Sequence, residues 1–258
     1  MSAPRAGAVG RARPFQLCDG VRALFTGRAG GFSSGPFAAL NLACDVGDDP
    51  GAVAANRKSV LDDLRDDLGH GPRRLAWVRQ VHGTAVIEVG GATRGQGATQ
   101  EGDALFTGSA EAAVGVLVAD CAPVLVADPV AGLVGAAHAG RRGMAAGVVQ
   151  ALLGSMTGAG GRPERMRAII GPAICGRCYE VPAAMRDEVA AAVPGSPSAS
   201  RDGRPAIDLR AGLRAQLAVA GVGAVDDDPR CTAECDDLFS YRRDGTTGRF
   251  AGLIWLAQ

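Results

Sequence analysis

A chain of 258 residues is long for one domain and short for two, and at a hydrophobic fraction of 47% a single domain with a sizeable core is expected. The formal net charge is zero, so no global field recruits nucleic acid or an anionic membrane surface. No stretch approaches the length of a membrane span.

Residues 1–14 are small and basic without an apolar run, and are expected to be a disordered amino-terminal segment rather than a secretory signal. One catalytic domain is expected over 15–258. It opens with a strand at 15–26 and a small-residue loop at 27–36. A helix follows, with Asp49 as N-cap, Pro50 at its first position and a stripe of Val53, Val60, Leu61, Leu64 and Leu68. Strands at 75–81 and 84–89 flank His82-Gly83, and 90–102 is a polar loop. Three apolar runs, 113–119, 124–128 and 133–137, are separated by turn signals. Beyond them the pattern predicts a helix at 144–156, a strand at 166–170, a helix at 182–193 and a loop at 196–205. A helix at 209–220 and a strand at 250–256 complete it. Strands outnumber crossover helices, which predicts an α/β fold, one domain with a mixed β-sheet flanked by helices.

If the three apolar runs form an antiparallel meander, Cys121, after the first, and His138, after the third, meet at one sheet edge. The chain has only three histidines, and His82 and His138 stand at expected strand ends beside glycines. Two imidazoles and a thiolate are the ligand set of an open zinc site, with a fourth position for water or substrate. Taken singly, each is more plainly a loop-edge histidine or a small buried hydrophobe; together they point to a site. Three chemistries fit the trio. Zinc would activate water or polarise a substrate, copper would form an electron-transfer centre, and without metal Cys121 and a histidine would form a nucleophile–base pair. A multicopper centre needs more imidazoles than the chain has.

Seven cysteines, an odd number with no export signal, favour free thiols or metal ligation and a cytoplasmic protein. Cys175-Gly176-Arg177-Cys178 and Cys231-Thr232-Ala233-Glu234-Cys235 have tolerable spacings for structural zinc, but the long interval between them reads as incidental cysteines. Lys58 is the sole lysine, so no Gly-x-x-x-x-Gly-Lys phosphate loop exists and an oxyanion must be met by arginine or backbone amides. Arg28, Arg57 and the pair Arg141–Arg142 are candidates, the pair being preferred because it begins a helix directly after His138. Arg242, Arg243 and Arg249, in a turn-like run, read as solvated surface.

Thr26-Gly27-Arg28-Ala29-Gly30-Gly31-Phe32-Ser33, Leu40-Asn41-Leu42, Asn56-Arg57, Gln80-Val81-His82-Gly83 and Asp103-Ala104-Leu105 occur in that order. Ala119-Asp120-Cys121-Ala122-Pro123, His138-Ala139-Gly140, Gly171-Pro172, Cys178-Tyr179-Glu180-Val181 and Phe239-Ser240-Tyr241-Arg242-Arg243 continue the series. With these motifs the chain resembles the family once labelled multicopper polyphenol oxidases or laccase-domain proteins, later read as zinc-containing purine nucleoside phosphorylases. The resemblance implies a single-domain α/β fold and a catalytic zinc held by His82, Cys121 and His138. It implies purine nucleosides and phosphate as partners; a monomer or small homo-oligomer is expected. The implied reaction is phosphorolysis of adenosine, inosine, guanosine and methylthioadenosine to base and ribose 1-phosphate, with adenosine deaminase as a side activity. Some bacterial relatives look linked to peptidoglycan quality control.

Within that frame Cys121, Arg142 and Asp120 are the expected catalytic residues. Arg142 with Arg57 grips phosphate, Asn41 positions ribose or base, and Asp120 or Glu180 carries a proton. Two departures stand out: Arg141 occupies a position where the family has tryptophan, and Arg177-Cys178 replaces a cysteine doublet. The competing readings are a metal-free cysteine hydrolase, a copper-dependent polyphenol oxidase and, from another class, a noncatalytic cell-wall or division partner.

Overall fold

The computed structural model describes residues 14–66, 71–90 and 100–257. The expected disordered segment, apart from Pro14, lies outside them, as do Leu68 and most of the 90–102 loop. The single strand expected at 15–26 is a hairpin of β1 (Phe15–Cys18) and β2 (Val21–Phe25) turning at Asp19-Gly20. Helix α1 (Pro50–Asp66) starts where its cap dictates, the Asp49 carboxylate accepting the Ala52 N–H at 2.7 Å. Val53, Val60, Leu61 and Leu64 are its buried stripe.

Strands β3 (Arg74–Ala76) and β4 (Val86–Glu88) are shorter than expected, because the chain between them curls around a carboxylate. Next come β5 (Ala104–Thr107), β6 (Ala112–Val118), β7 (Ala122–Asp128) and β8 (Leu133–Ala139). The helix expected at 144–156 is two, α2 (Arg141–Ala146) and α3 (Val148–Gly158), because Gly147 at φ +88° ends one and begins the other. Strand β9 (Arg167–Ile170) and α4 (Ala183–Ala192) follow. The expected 196–205 loop carries a small hairpin, β10 (Pro197–Ala199) with β11 (Pro205–Ile207). The chain closes with α5 (Leu209–Val219), β12 (Ala224–Asp227), α6 (Tyr241–Asp244) and β13 (Phe250–Leu256).

These elements form two sheets packed face to face, not one. The first runs β1-β2-β13-β6-β3 and the second β12-β9-β7-β8-β5-β4, both of mixed direction. Side-chain alternation shows why. In β7, Val124 and Val126 pack against α2, α3 and α5, while Leu125 and Ala127 face Phe25, Val114, Val116 and Ile254 of the other sheet. The far face of the first sheet, with Leu24, Leu253 and Trp255, is covered by α1. The result is a four-layer α/β domain. Strands buried on both faces read as unbroken apolar runs, and alternation alone does not distinguish neighbours in one sheet from neighbours across the seam.

The expected meander is corrected accordingly. β7 and β8 pair antiparallel, but β6 belongs to the other sheet, and Ala119-Asp120-Cys121 carries the chain across the seam. Asp120 turns that corner at φ +94°. Among the described residues no helix is long and apolar enough to cross a membrane.

Candidate metal centre

Cys121 and His138 do come together, through the β7–β8 hairpin alone. Pro123 lies opposite His138 and Ala122 opposite Ala139, so Cys121, one residue ahead of β7, stands beside His138. His138 has the parity of Val134 and Ala136, which fill the space between the sheets, and its ring is buried where that seam ends. The ligand-bearing atoms of His82, Cys121 and His138 all lie within 4.8 Å of one another. The two imidazole centroids are 4.7 Å apart.

Asp103 joins the His82 loop to His138. Its fully buried carboxylate accepts the successive backbone N–H groups of Val81 at 3.2 Å, His82 at 2.9 Å and Gly83 at 2.6 Å. Three amides can converge on one anion only from a curled backbone, and His82 sits at φ +60°, in the left-handed region. The same carboxylate is 2.8 Å from His138 Nδ1. Since a carboxylate only accepts, Nδ1 carries the proton and Nε2 is left for a ligand bond. Burial pushes Asp103 up, but the His138 and backbone hydrogen bonds outweigh it and hold its pKa below the usual value. Gly140 completes the cradle: a Cβ there would stand 2.8 Å from Cys121 Sγ and 3.0 Å from His82 Nδ1.

Burial raises the Cys121 thiol pKa, but the His138 and His82 imidazoles more than offset it and bring it down to about 6. Burial lowers His138, while Cys121 and Asp103 raise it to about 9. The two shifts run in the same sense, toward thiolate and imidazolium, and an arriving metal ion would displace the imidazolium proton.

The trio opens onto a cleft of about 860 Å³. Arg57, Arg141, Arg242 and Arg249 line it, together with Tyr179 and Trp77. Arg57 lies over the Trp77 ring at 5.4 Å and donates to Leu42 O at 2.8 Å. Burial lowers the pKa of both Arg57 and Arg249, nearby acids such as Asp45 partly opposing it. Burial and Cys121 raise the Tyr179 pKa, and the neighbouring Arg141 opposes them.

Other expected site residues are placed differently. Arg142 is exposed and does not line the cleft; its neighbour Arg141 does. Asn41 is fully buried behind the wall, its amide engaged with Ala43, Asp48 and the Arg249 N–H, so it positions the Arg249 backbone. Asp120 lines the cleft, but its carboxylate already accepts from Thr232 Oγ1 at 2.6 Å, Ser240 Oγ at 2.7 Å and the Arg242 N–H at 2.6 Å. Glu180 turns to Arg204 at 3.0 Å. Arg28 stacks on Phe239 and bonds Ala38 O. Arg243 is not solvated surface: it donates to the Thr232, Cys235 and Leu238 carbonyls. Arg242 and Arg249, also read from the sequence as solvated surface, line the cleft instead, and Asp103 and Tyr179 were not singled out by residue type. Asp103 carried one signal, its place in a short motif before an apolar run.

Residues 22–257 match the family model described as multi-copper polyphenol oxidoreductase laccase. A purine nucleoside phosphorylase of Streptomyces griseus is 51% identical over 90% of this chain and 93% of its own length. One from Deinococcus radiodurans is 43% identical over 91% and 88%. Among solved structures, a Neisseria meningitidis protein of family DUF152 superposes with a TM-score of 0.83 at 36% identity, covering 96% of this chain and all of its own. YlmD from Geobacillus stearothermophilus gives 0.84 at 34% identity, covering 95% and 94%.

Proposed function

This chain belongs to the family described as multi-copper polyphenol oxidoreductase laccase, and we propose that within it the protein acts as a zinc-dependent purine nucleoside phosphorylase. One observation carries the reading. Two imidazoles and a thiolate close the floor of an arginine-lined cleft whose volume, about 860 Å³, suits a nucleoside with phosphate. The donor set fits zinc, with ligands oriented by Asp103 and one side facing the cleft. A copper electron-transfer centre adds a weak axial ligand. No methionine lines this cleft, and the Gln80 amide is spent on the Leu117 N–H and carbonyl. Bound zinc would supply Lewis acidity at the cleft floor.

The chain's own residues supply the rest. Phosphorolysis breaks the bond from C1′ to the purine nitrogen, whose electron pair leaves with the base, and joins C1′ to a phosphate oxygen through a ribosyl cation-like state. Arg249, Arg57 and Arg141 hold the phosphate by charge-assisted hydrogen bonds. Tyr179, in the cleft wall with its hydroxyl kept protonated by burial, is placed to hydrogen-bond the base or ribose. Asp120 fixes the wall that carries Arg242. The substrates in this reading are adenosine, inosine, guanosine and methylthioadenosine, with adenosine deamination as a side activity, in a cytoplasmic monomer or small homo-oligomer. All seven cysteines are free thiols, in keeping with that compartment.

A second reading, a metal-free cysteine hydrolase, draws on the thiolate–imidazolium pair itself. Incubating zinc-loaded protein with adenosine, with and without phosphate, and resolving adenine, inosine and hypoxanthine by chromatography separates the two. Phosphate-dependent adenine, lost on chelation and in a His82→Ala/Cys121→Ser variant, supports the phosphorylase. Turnover that survives chelation and disappears on alkylation of Cys121 would sink it in favour of the hydrolase.

A further inference from the structure

Away from the cleft, three more cysteines converge. Cys175 and Cys178 close one tight turn, the Cys178 N–H donating to Cys175 O at 2.9 Å. Cys231 and Glu234 close another of the same form, Glu234 N–H to Cys231 O at 3.1 Å. A parallel bridge between Ala173 and Cys231 sets the turns face to face. Across the gap the Cys175 N–H points at Cys231 Sγ at 3.3 Å, and Cys178 Sγ donates to Glu234 Oε1 at 3.1 Å. The three sulfurs and the carboxylate all lie within 4.8 Å of one another. Cys235, the sequence partner expected for Cys231, packs instead against Val118, Leu238, Phe239 and Phe250.

We propose that Cys175, Cys178, Cys231 and Glu234 form a second zinc site, structural rather than catalytic. Two ligands from each of two facing turns at x-x spacing is the arrangement of ribbon-type zinc sites, and carboxylate oxygen is an accepted fourth ligand. In a tetrahedral site with Zn–S bonds of about 2.3 Å the sulfurs stand about 3.8 Å apart, so a modest contraction closes the cluster on the ion. Arg201, ion-paired with Glu234, balances part of the charge of three thiolates and a carboxylate. None of the four residues lines the cleft, so this set has four protein donors and no side facing substrate.

The two turns are those that hold the cleft wall. Ile174, next to Cys175, donates its N–H to Asp120 O at 3.0 Å, and Thr232, next to Cys231, donates its hydroxyl to the Asp120 carboxylate. Tyr179 follows Cys178 directly into the cleft. An ion at this cluster staples both loops to the residue that precedes Cys121.

The test is metal counting on full-length protein stripped of metal and reloaded with zinc alone. Wild type is expected to retain about two equivalents per chain, and His82→Ala/Cys121→Ser about one, held by the sulfur-rich set. Cys178→Ser and Glu234→Gln, at accessible positions, are expected to lose that second equivalent while keeping the first. A measurement without variants accompanies it: zinc should protect Cys175, Cys178 and Cys231 from alkylation in wild type, read by peptide mass. A single equivalent in wild type, undiminished by Cys178→Ser, would overturn the proposal. So would alkylation of the three thiols at equal rates with and without zinc, or a disulfide among them in protein handled under reducing conditions.

Discussion

The two sulfur-bearing clusters of this molecule are built on different principles. His82, Cys121 and His138 arrive from three separate places, a loop and two strand ends; a buried carboxylate that is not itself a ligand ties the two histidines, and the β7–β8 pairing brings in Cys121. Cys175, Cys178, Cys231 and Glu234 arrive as two local turns, each closed by a short-range backbone hydrogen bond and set face to face by the Ala173–Cys231 bridge. The first cluster has three donors and a cleft on its open side; the second has four donors, none of them lining that cleft. A site that must leave a coordination position for substrate has its geometry imposed by the fold, whereas a site that only joins two loops can be made by the loops themselves.

The strongest way to break this contrast is to remove each set in turn. His82→Ala/Cys121→Ser is expected to lower phosphorolysis on the order of 10³-fold or more, equivalent to about 4 kcal/mol of lost transition-state stabilisation. Zinc content and kcat/KM measured on the same preparations decide it. Equal activity loss from Cys178→Ser would show that both clusters serve the chemistry and erase the distinction.

A stability control sharpens the comparison. Asp128 is as buried as Asp103 but lies at the other end of β7, accepting from the Val130, Ala131 and Arg162 N–H groups and from Arg165. Burial raises its pKa, and those hydrogen bonds and the Arg165 charge outweigh it and depress it. A depressed carboxylate contributes stability above its unfolded pKa of about 3.9, and that contribution is lost as pH falls through the folded value. Asp128→Asn is expected to cost about 2–3 kcal/mol at pH 7, to converge with wild type under acid, and to leave both zinc equivalents in place. Denaturant unfolding at pH 7 and in acid, with metal analysis, checks all three points.

Asp103→Asn probes the open centre's dependence on its orienting carboxylate. Zinc affinity at His82, Cys121 and His138 should fall about 10–100-fold, with the cysteine cluster untouched. A competition titration against a chromogenic chelator reads the two classes of site separately. An unchanged weak class would mean that the seam geometry, not Asp103, sets the ligands.

Asp103 also marks the boundary of what the primary structure discloses. The metal trio was legible because histidine is scarce here and Cys121 and His138 flank strand signals. Their meeting does not come from a three-strand meander, since β6 leaves the sheet at Asp120. Helix α1 was legible from its Asp49 cap and apolar stripe, and α4 and α5 from the pattern of their segments. β5, four residues buried on both faces, has no alternation to reveal it. Asp103 and Arg249 owe their roles to contacts across 35 residues or to cleft placement, which residue type does not encode. Glu234 stayed hidden because a thiol one residue away, Cys235, offered the more familiar pattern.

The smallest expected effect concerns the arginines, where residue type and placement diverge most. Arg142 lies outside the cleft, and Arg249 and Arg141 lie within it. A phosphate oxygen held by a guanidinium loses about 1.5–3 kcal/mol when the donor is removed. Arg249→Ala should therefore raise the KM for phosphate roughly 10-fold or more while leaving the zinc count unchanged. Arg142→Ala, an exposed substitution, should move it less than about 2-fold. Steady-state kinetics with phosphate as the varied substrate separates the two. If Arg142→Ala has the larger effect, phosphate approaches from the α2 face and the cleft arginines serve the base or ribose. If Arg249→Ala dominates, the anion sits beside the Asn41-supported loop, on a wall whose order does not depend on the cysteine cluster's turns.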